Sequence, residues 1–406
     1  MTPIFVEGQA QELILQKTVI HLKIYGYFRY VAKGSEKVWK PNHDFLMGSG
    51  RAEDMILHFS QLNYCPNLSY IDHISDADTL YGSYIPVLRR GGVLYKWAPS
   101  GSFYGWVPLS LGLDPNNWDT LDYYTGVGIY AGKLYTWGAN DYGQCGLGHT
   151  DEVLLPTQVG SATNWVYAVK GNTLVTLNDI GEIWTAGWNN RGQCGTGNTT
   201  DQHSLIKAGN EQGWDLVRYN TPSETCYAIK NSRLYTWGNS LWGSRMDESS
   251  YGWSSTGDWF PENGMIKQGT ALETGWTDVM GGGRDGVGIN NGEVWGSGYN
   301  YNGSSTLTSS NSDAYIEGHE PEDTYELAFV EENNLVFLRR PRDLKILGGF
   351  TNGNGRLGRG DTSYPKRFSI CYKGYPIKRL FSPRESNFSD TFMVLLSLPD
   401  DFVDVL

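Results

Sequence analysis

Short apolar stretches recur along the chain, each broken within a few residues by Gly, Asn or Asp. In LYTWG (Leu134 to Gly138), Leu134 and Thr136 fall on one face of a strand and Tyr135 and Trp137 on the other, since side chains alternate across a strand. Both faces carry bulk, as in a sheet packed against a neighbour on either side. An aromatic opens an earlier strand in each unit: NWVYAVKG at Trp165, GWDLVRYN at Trp214, GWTDVMGGG at Trp276 and TYELAFVEEN at Tyr325. A hairpin follows, as in VGIYAGKLYTWG and VGINNGEVWGSG, with Ala131-Gly132 and Asn291-Gly292 at turns that demand positive φ. PTQVG at Pro156, LIKAG at Leu205, MIKQG at Met265 and AYIEG at Ala314 close the units. The pattern predicts four short strands per unit and no long helix.

One Gly-punctuated segment is written repeatedly. LYTWGANDYGQCGLG (Leu134 to Gly148) and IWTAGWNNRGQCGTG (Ile183 to Gly197) agree at Thr136/Thr185, Gly138/Gly187, Asn140/Asn189 and through Gly-Gln-Cys-Gly. Worn copies start at Leu94, Leu234, Val294 and Leu344, a spacing that suits one small sheet per repeat. Gly138 lets the chain leave its strand at positive φ, and Asn140 is expected to bond its own backbone two residues on. Sheets that cannot bury their faces alone close into a ring, so the fold class is all-β: a closed β-propeller of four-stranded blades. PIFVEG (Pro3 to Gly8) resembles a closing strand, and the last thirty residues resemble a unit lacking one. The N-terminal strand is therefore expected to close the last blade. Eight units are counted if ELILQKT at Glu12 opens the first, in a single domain spanning residues 1–406 with 1–68 the least regular. Trp137, Trp184, Trp237 and Trp295 are expected to be buried between blades.

The pattern LYxWGxNxxGQCGxG resembles the repeat of the regulator of chromosome condensation family. The resemblance covers roughly residues 70–400 and fades toward both ends. It implies a propeller, usually of seven blades, against the eight units counted. Family members include nucleotide-exchange factors docking on a small GTPase and on nucleosomes, ubiquitin-ligase modules and bacterial β-lactamase inhibitors, so the fold does not settle function. The nuclear members carry a basic tail, and this chain has no Lys/Arg-rich tail.

A net charge of -12 argues against a non-specific grip on nucleic acid. No apolar run reaches the length of a membrane span, and MTPIFVEGQAQELILQ does not read as a secretory signal. GGGRDG (Gly281 to Gly286) and GNGRLG (Gly353 to Gly358) satisfy GxGxxG, but neither opens a helical pattern that would hold pyrophosphate. Arg359-Gly360-Asp361 coincides with a repeat's loop exit. The seven histidines form no metal-ligand spacing, and the five cysteines (Cys65, Cys145, Cys194, Cys226, Cys371) read as small buried hydrophobes. No catalytic residue, cofactor or metal is expected. The leading reading is a non-enzymatic interaction propeller. One version is a subunit of a larger assembly such as a bacteriophage virion, suggested by the composition and placing the chain in the virion. The alternative is a soluble regulator or inhibitor that binds a GTPase or enzyme through one propeller face, placing it in the cytoplasm.

The candidate partner-binding residues are Tyr142, Arg191, Trp242 and Tyr301, large side chains at the same place of four repeated loops and so expected on one rim. The unit after Leu234 carries an insertion with Tyr251, Trp253 and Trp259, which reads either as an interface anchor or as a loop folded back on its blade. Eight acidic residues and no Lys or Arg lie between Asp313 and Glu332, and twelve Lys/Arg between Arg339 and Arg384. These segments either pair with each other or present a docking face for an acidic partner.

Overall fold

The computed structural model describes residues 103–221, 223–239, 274–282 and 285–298 continuously, and elsewhere the strands named below with residues 91–92 and 325. One compact unit, Leu111–Val336, holds most of the regular repeats. Its sheets are β10 (Trp118–Asp122), β11 (Val127–Tyr130), β12 (Lys133–Gly138) and β13 (Val153–Gln158); β14 (Trp165–Lys170), β15 (Thr173–Asn178), β16 (Ile183–Gly187) and β17 (Gln202–Lys207); β18 (Leu216–Asn220), β19 (Thr225–Lys230), β20 (Arg233–Gly238) and β21 (Ile266–Lys267); and the three-stranded β22 (Trp276–Gly282), β23 (Asp285–Asn290) and β24 (Glu293–Gly298). Each is an antiparallel meander in sequence order.

The other unit is Met1–Ser110 with Phe337–Leu406. It holds β1 (Glu12–Gln16), β2 (Val19–Lys23) and β3 (Tyr30–Lys33) as one sheet, and β6 (Thr79–Tyr81), β7 (Val87–Arg90), β8 (Val93–Ser100) and β9 (Phe103–Leu109) as another. An all-antiparallel sheet drawn from both ends of the chain runs β29 (Ile377–Phe381), β30 (Thr391–Ser397), β4 (Asp44–Gly50), β5 (Ile56–Ser60). A further sheet, β25 (Glu326–Glu331), β26 (Leu335–Arg340), β27 (Lys345–Phe350) and β28 (Ser369–Lys373), takes its first strand from the Leu111–Val336 unit and its last two from this one.

The last sheet is thus completed from the N-terminal part of the chain, as expected, but by two strands rather than one. Thr391 to Ser397 pair with Gly50 back to Asp44. Residues 3–8 lie outside the described residues. Counting the β29–β30–β4–β5 sheet once, β4 to β30 make seven sheets among the described residues. The unit at Glu12 that raised the count to eight is a separate three-stranded sheet, β1–β3.

The turns explain the glycines and asparagines. Between second and third strands, φ is positive at both residues of Gly91-Gly92, Ala131-Gly132, Asn231-Ser232 and Asn291-Gly292, matching the right-handed strand twist. Opening aromatics Trp118, Trp165, Trp214, Trp276 and Tyr325 are all buried. Within its own blade Trp214 meets the Tyr235 ring edge-on at 4.9 Å, and Trp165 meets Trp184 at 6.3 Å.

The strand aromatics divide into two classes. Leu134, Ile183, Leu234 and Val294 are buried, as are Trp137, Ala186 and Trp237 three positions on. Tyr135, Trp184, Tyr235 and Trp295 are half-buried. Trp184 and Trp295 therefore stand at the tyrosine's place in the repeat and correct the expectation that all four tryptophans are enclosed alike. The first strands of successive sheets lie beside one another, β14 with β18, β18 with β22 and β22 with β25. Apolar clusters seal the joins: Val127, Ile129, Leu134 and Val159 with Trp165, Leu174 and Ala186; Val175 and Ile183 with Val217, Cys226 and Trp237; Ile229 and Leu234 with Trp276 and Val279.

Candidate functional site

In an antiparallel four-stranded meander, the turn joining strands one and two and the loop joining three and four leave the same end of the sheet. That end carries the repeated segments, 139–152 and 188–201. Each is built around one buried asparagine. Asn140 Oδ1 accepts the Cys145 N–H (2.8 Å), while its Nδ2 donates to the carbonyls of His149 and Asp151 (both 2.9 Å). Asn189 does the same with Cys194 (2.8 Å), Asn198 and Thr200 (both 2.9 Å). The expected bond two residues on is replaced by this longer clamp, because the loop folds back over the side chain. Thr136 Oγ1 donates to the Cys145 carbonyl (2.8 Å) and Thr185 Oγ1 to that of Cys194 (2.7 Å). Gln144 Oε1 accepts from Tyr142 N (2.9 Å), and Gln193 Oε1 from Arg191 N (2.7 Å). The repeated polar residues hold the backbone, leaving residues 142 and 191 to vary.

Tyr142 is half-buried and stacks on Trp188 of the next blade's loop, with centroids 5.3 Å apart and planes 23° from parallel. Arg191 stands at the equivalent place one blade on. Two buried ions cross the joins at this end. Lys170, at the end of β14, donates to the carbonyls of Thr125 (2.9 Å) and Trp137 (2.8 Å) in the preceding blade. Burial pulls its ammonium below the usual lysine value, against the attraction of Cys145 and Asp122. Glu224, in the turn between β18 and β19, accepts from Asn172 Nδ2 and Gln193 Nε2 of the preceding blade, both at 3.1 Å. Burial raises its carboxyl, opposed by those two amides and by the Arg191 guanidinium. Its φ is +59°, a conformation the corresponding turn of the earlier blade reaches with Gly126. A non-glycine residue there is strained unless its side chain is held.

Of the predicted rim residues, the structure brings Tyr142 and Arg191 to this end on successive loops. Trp242, Tyr301, Tyr251, Trp253 and Trp259 lie outside the described residues, as do the side chains of the basic segment 339–384. Trp188, Lys170 and Glu224 were not singled out in the sequence. Trp188 had a visible signal, an aromatic directly after the strand-ending Gly187. Glu224 had none, since TPSE matches no other copy.

Cys145, Cys194 and Cys226 are buried free thiols. Burial raises all three, Cys194 to about 12, so these thiols are not nucleophiles at neutral pH. Gly281 to Gly286 spans the β22–β23 hairpin, with Gly281 paired to Gly286. It opens no helix for a dinucleotide. Among the described residues no His, Cys, Asp or Glu side chains gather as a metal site, and no helix is long and apolar enough to cross a membrane.

Residues 131–177 match the regulator of chromosome condensation (RCC1) repeat. No curated protein matches the chain in sequence. Among solved structures, human WBSCR16 aligns with TM-score 0.62 at 15% identity, covering 88% of this chain and 99% of that one. Yeast RCC1 (Prp20) bound to Kap60 aligns with TM-score 0.64 at 8% identity, covering 91% and 92%. Prp20p from Saccharomyces cerevisiae, described with its binding properties to Gsp1p and histones, aligns with TM-score 0.63 at 9% identity, covering 90% and 94%. With its blades of antiparallel strands the chain shares the β-propeller fold of these proteins, and it carries an RCC1-type repeat at residues 131–177.

Proposed function

We propose that this propeller is a non-enzymatic protein-interaction module, a regulator or inhibitor that docks a folded partner such as a GTPase or an enzyme across the loop end of its blades. The observation that carries this reading is the arrangement of Tyr142, Trp188 and Arg191 on two loops whose backbones are fixed by the Asn140 and Asn189 clamps. Rigid aromatic and guanidinium side chains on a preorganised frame lose little entropy on docking and are favoured interface anchors. The proteins it resembles point the same way, one solved with Kap60 bound and one described as binding Gsp1p and histones. By position in the repeat, Trp242, Tyr301 and the insertion aromatics Tyr251, Trp253 and Trp259 are assigned to the same rim.

The composition that suggests a virion subunit does not separate the two readings. Glycine and asparagine at the turns and aromatics on the strand faces are what the blades themselves require. The regulator reading is tested by incubating the protein with small GTPases carrying labelled nucleotide and by pull-down from lysate. Replacing Tyr142 and Arg191 together with Ser should reduce capture by about tenfold or more while leaving the fold intact. Unchanged capture would move the interface off this rim.

A further inference from the structure

Tyr142 and Arg191 hold the same place in their loops but are secured by different means. Tyr142 stacks on the Trp188 ring at the start of the next loop. One blade on, Asn239 stands at Trp188's place, directly after Gly238, and offers an amide where Tyr142 finds a ring. The β18–β21 blade turns Glu224 toward the Arg191 loop instead, and hydrogen bonds in series connect the two. The Arg191 N–H donates to Gln193 Oε1 (2.7 Å), Gln193 Nε2 donates to Glu224 Oε2 (3.1 Å), and Glu224 Oε1 accepts from Asn172 Nδ2 (3.1 Å). The corresponding turn of the blade before, Gly171-Asn172, contains no acid to serve Gln144 in the same way. Glu224 is 8% exposed and fixed at both backbone groups, its N–H on the Asn220 carbonyl (2.7 Å) and its carbonyl on the Asn239 N–H (3.1 Å). Its side chain therefore stays between the blades when its charge changes.

The charged and titratable groups that face this carboxyl are Arg191 on segment 188–201, Tyr219 on β18 and Cys226 on β19, while the β14–β15 turn faces it with the Asn172 amide. An arginine stays charged throughout. Burial raises the Tyr219 hydroxyl and the Cys226 thiol, away from the acid range. Of these four groups only Glu224 changes charge between neutral and acid pH. The Asn172 and Gln193 amides favour its ionised form. By reciprocity the ionised form holds those amides more tightly, since a hydrogen bond to a carboxylate is about twice as strong as one between neutral groups. A proton on the carboxyl weakens this grip and removes the charge facing the Arg191 guanidinium. Burial outweighs the amides, so the changeover lies above the ordinary 4.5.

We propose that Glu224 is a positioning residue for the rim, a proton-sensitive brace acting through Gln193: ionised, it fixes the turn that carries Arg191, and protonated, it releases that turn. Its consequence for binding rests on the docking reading above. A partner meets a fixed guanidinium at neutral pH and a loose one in acid.

The test is residue-resolved hydrogen exchange on the full chain, corrected at each pH for the intrinsic exchange rate. Protection of the Arg191 amide should fall by about threefold to tenfold as pH drops from neutral to 4.5. The Leu174 and Leu177 amides, inside β15 and paired on both sides, should keep theirs. In Glu224→Gln, which keeps the size but cannot titrate, the step should vanish and protection at neutral pH should sit near the wild type's acid level. Asp201→Asn alters the carboxylate that accepts the Asn189 N–H in the same loop (2.8 Å) and should leave the step in place. A flat wild-type profile, a step that survives Glu224→Gln, or one that disappears with Asp201→Asn would overturn the brace. The measurement needs no partner, so a flat profile leaves the docking reading untouched, and a rim that captures nothing still shows the step.

Discussion

The join between β10–β13 and β14–β17 and the join between β14–β17 and β18–β21 use one backbone and opposite side chains. At the first, Ala186 leaves space that Leu147 and Leu205 occupy, and the ion crossing the boundary is the cation of Lys170. At the second, Trp237 fills that space, the loop residue at Leu147's place is Thr196, and the crossing ion is the carboxylate of Glu224. Large against small on one side becomes small against large on the other, as close packing demands. What the repeat conserves is the frame made by Asn, Thr, Gln and Gly. Volume and charge at its margins are settled blade by blade.

The largest test of this contrast is Trp237→Ala, expected to cost about 3–5 kcal/mol as a large-to-small change in a sealed core. Trp137→Ala should cost less, by about 1 kcal/mol, because no indole hydrogen bond is lost there. Urea unfolding of both variants measures the gap. Equal losses would show that the loop carbonyl on Trp237 adds nothing to the join.

Next in size is the frame. Asn189→Ala leaves the Cys194 N–H and the carbonyls of Asn198 and Thr200 without their partner, at a cost of about 2–3 kcal/mol. Asn140→Ala should match it, because its three bonds are the same. Asn189→Asp keeps the acceptor and loses both donations, so it should not rescue. A wide difference between the two alanine variants would mean that the frames are not equivalent despite their geometry.

The two ions should respond oppositely to deletion along the pH axis. Burial raises Glu224, so above the ordinary value of 4.5 the folded chain holds its proton more tightly than the unfolded chain. This group's contribution is full below that value and is lost as pH rises through the raised one. Burial lowers Lys170, so stability climbs with pH between its lowered value and the ordinary 10.5. Glu224→Gln should flatten the acid-side slope and Lys170→Met the alkaline one, each leaving the other intact, as read from urea midpoints across pH. A slope that survives its own deletion belongs to another group.

The blade was largely legible from local chemistry. Alternation gave the strands, positive-φ residues gave the turns, and repeat spacing located the sheets. Long-range choices were not. Asn140 was read as a local turn maker because its partners, His149 and Asp151, share no residue type with Asn198 and Thr200; it bonds their backbones. Trp184 and Trp295 looked like copies of Trp137, but a one-residue offset on a strand changes the face, and faces are legible only once copies are aligned on the glycine. The closing strands β4 and β5 carry DFLMGSG and ILHFS, which repeat neither LYTWG nor PTQVG and so gave no signal. At the candidate rim, Tyr142 and Arg191 followed from their place in the loop, whereas Glu224 depends on what the neighbouring blade turns toward it.

The smallest predicted effect lies at the opposite end of the blade from both joins' ions. Ala131 is exposed, with φ at +47°, while the matching turns place Asn231 and Asn291 in the same conformation. Its Cβ meets the following carbonyl in that region, and asparagine tolerates the region better. The Ala131 N–H bonds the Asn117 carbonyl at 2.8 Å, an interaction that any side chain here retains. Ala131→Asn should therefore stabilise the protein by about 0.5 kcal/mol. Since the second-to-third-strand turns leave the end away from segments 139–152 and 188–201, partner capture should not change. If a variant this small altered binding, the interface would extend to the turn end, and the contrast between a conserved frame and variable loop margins would no longer locate the docking face.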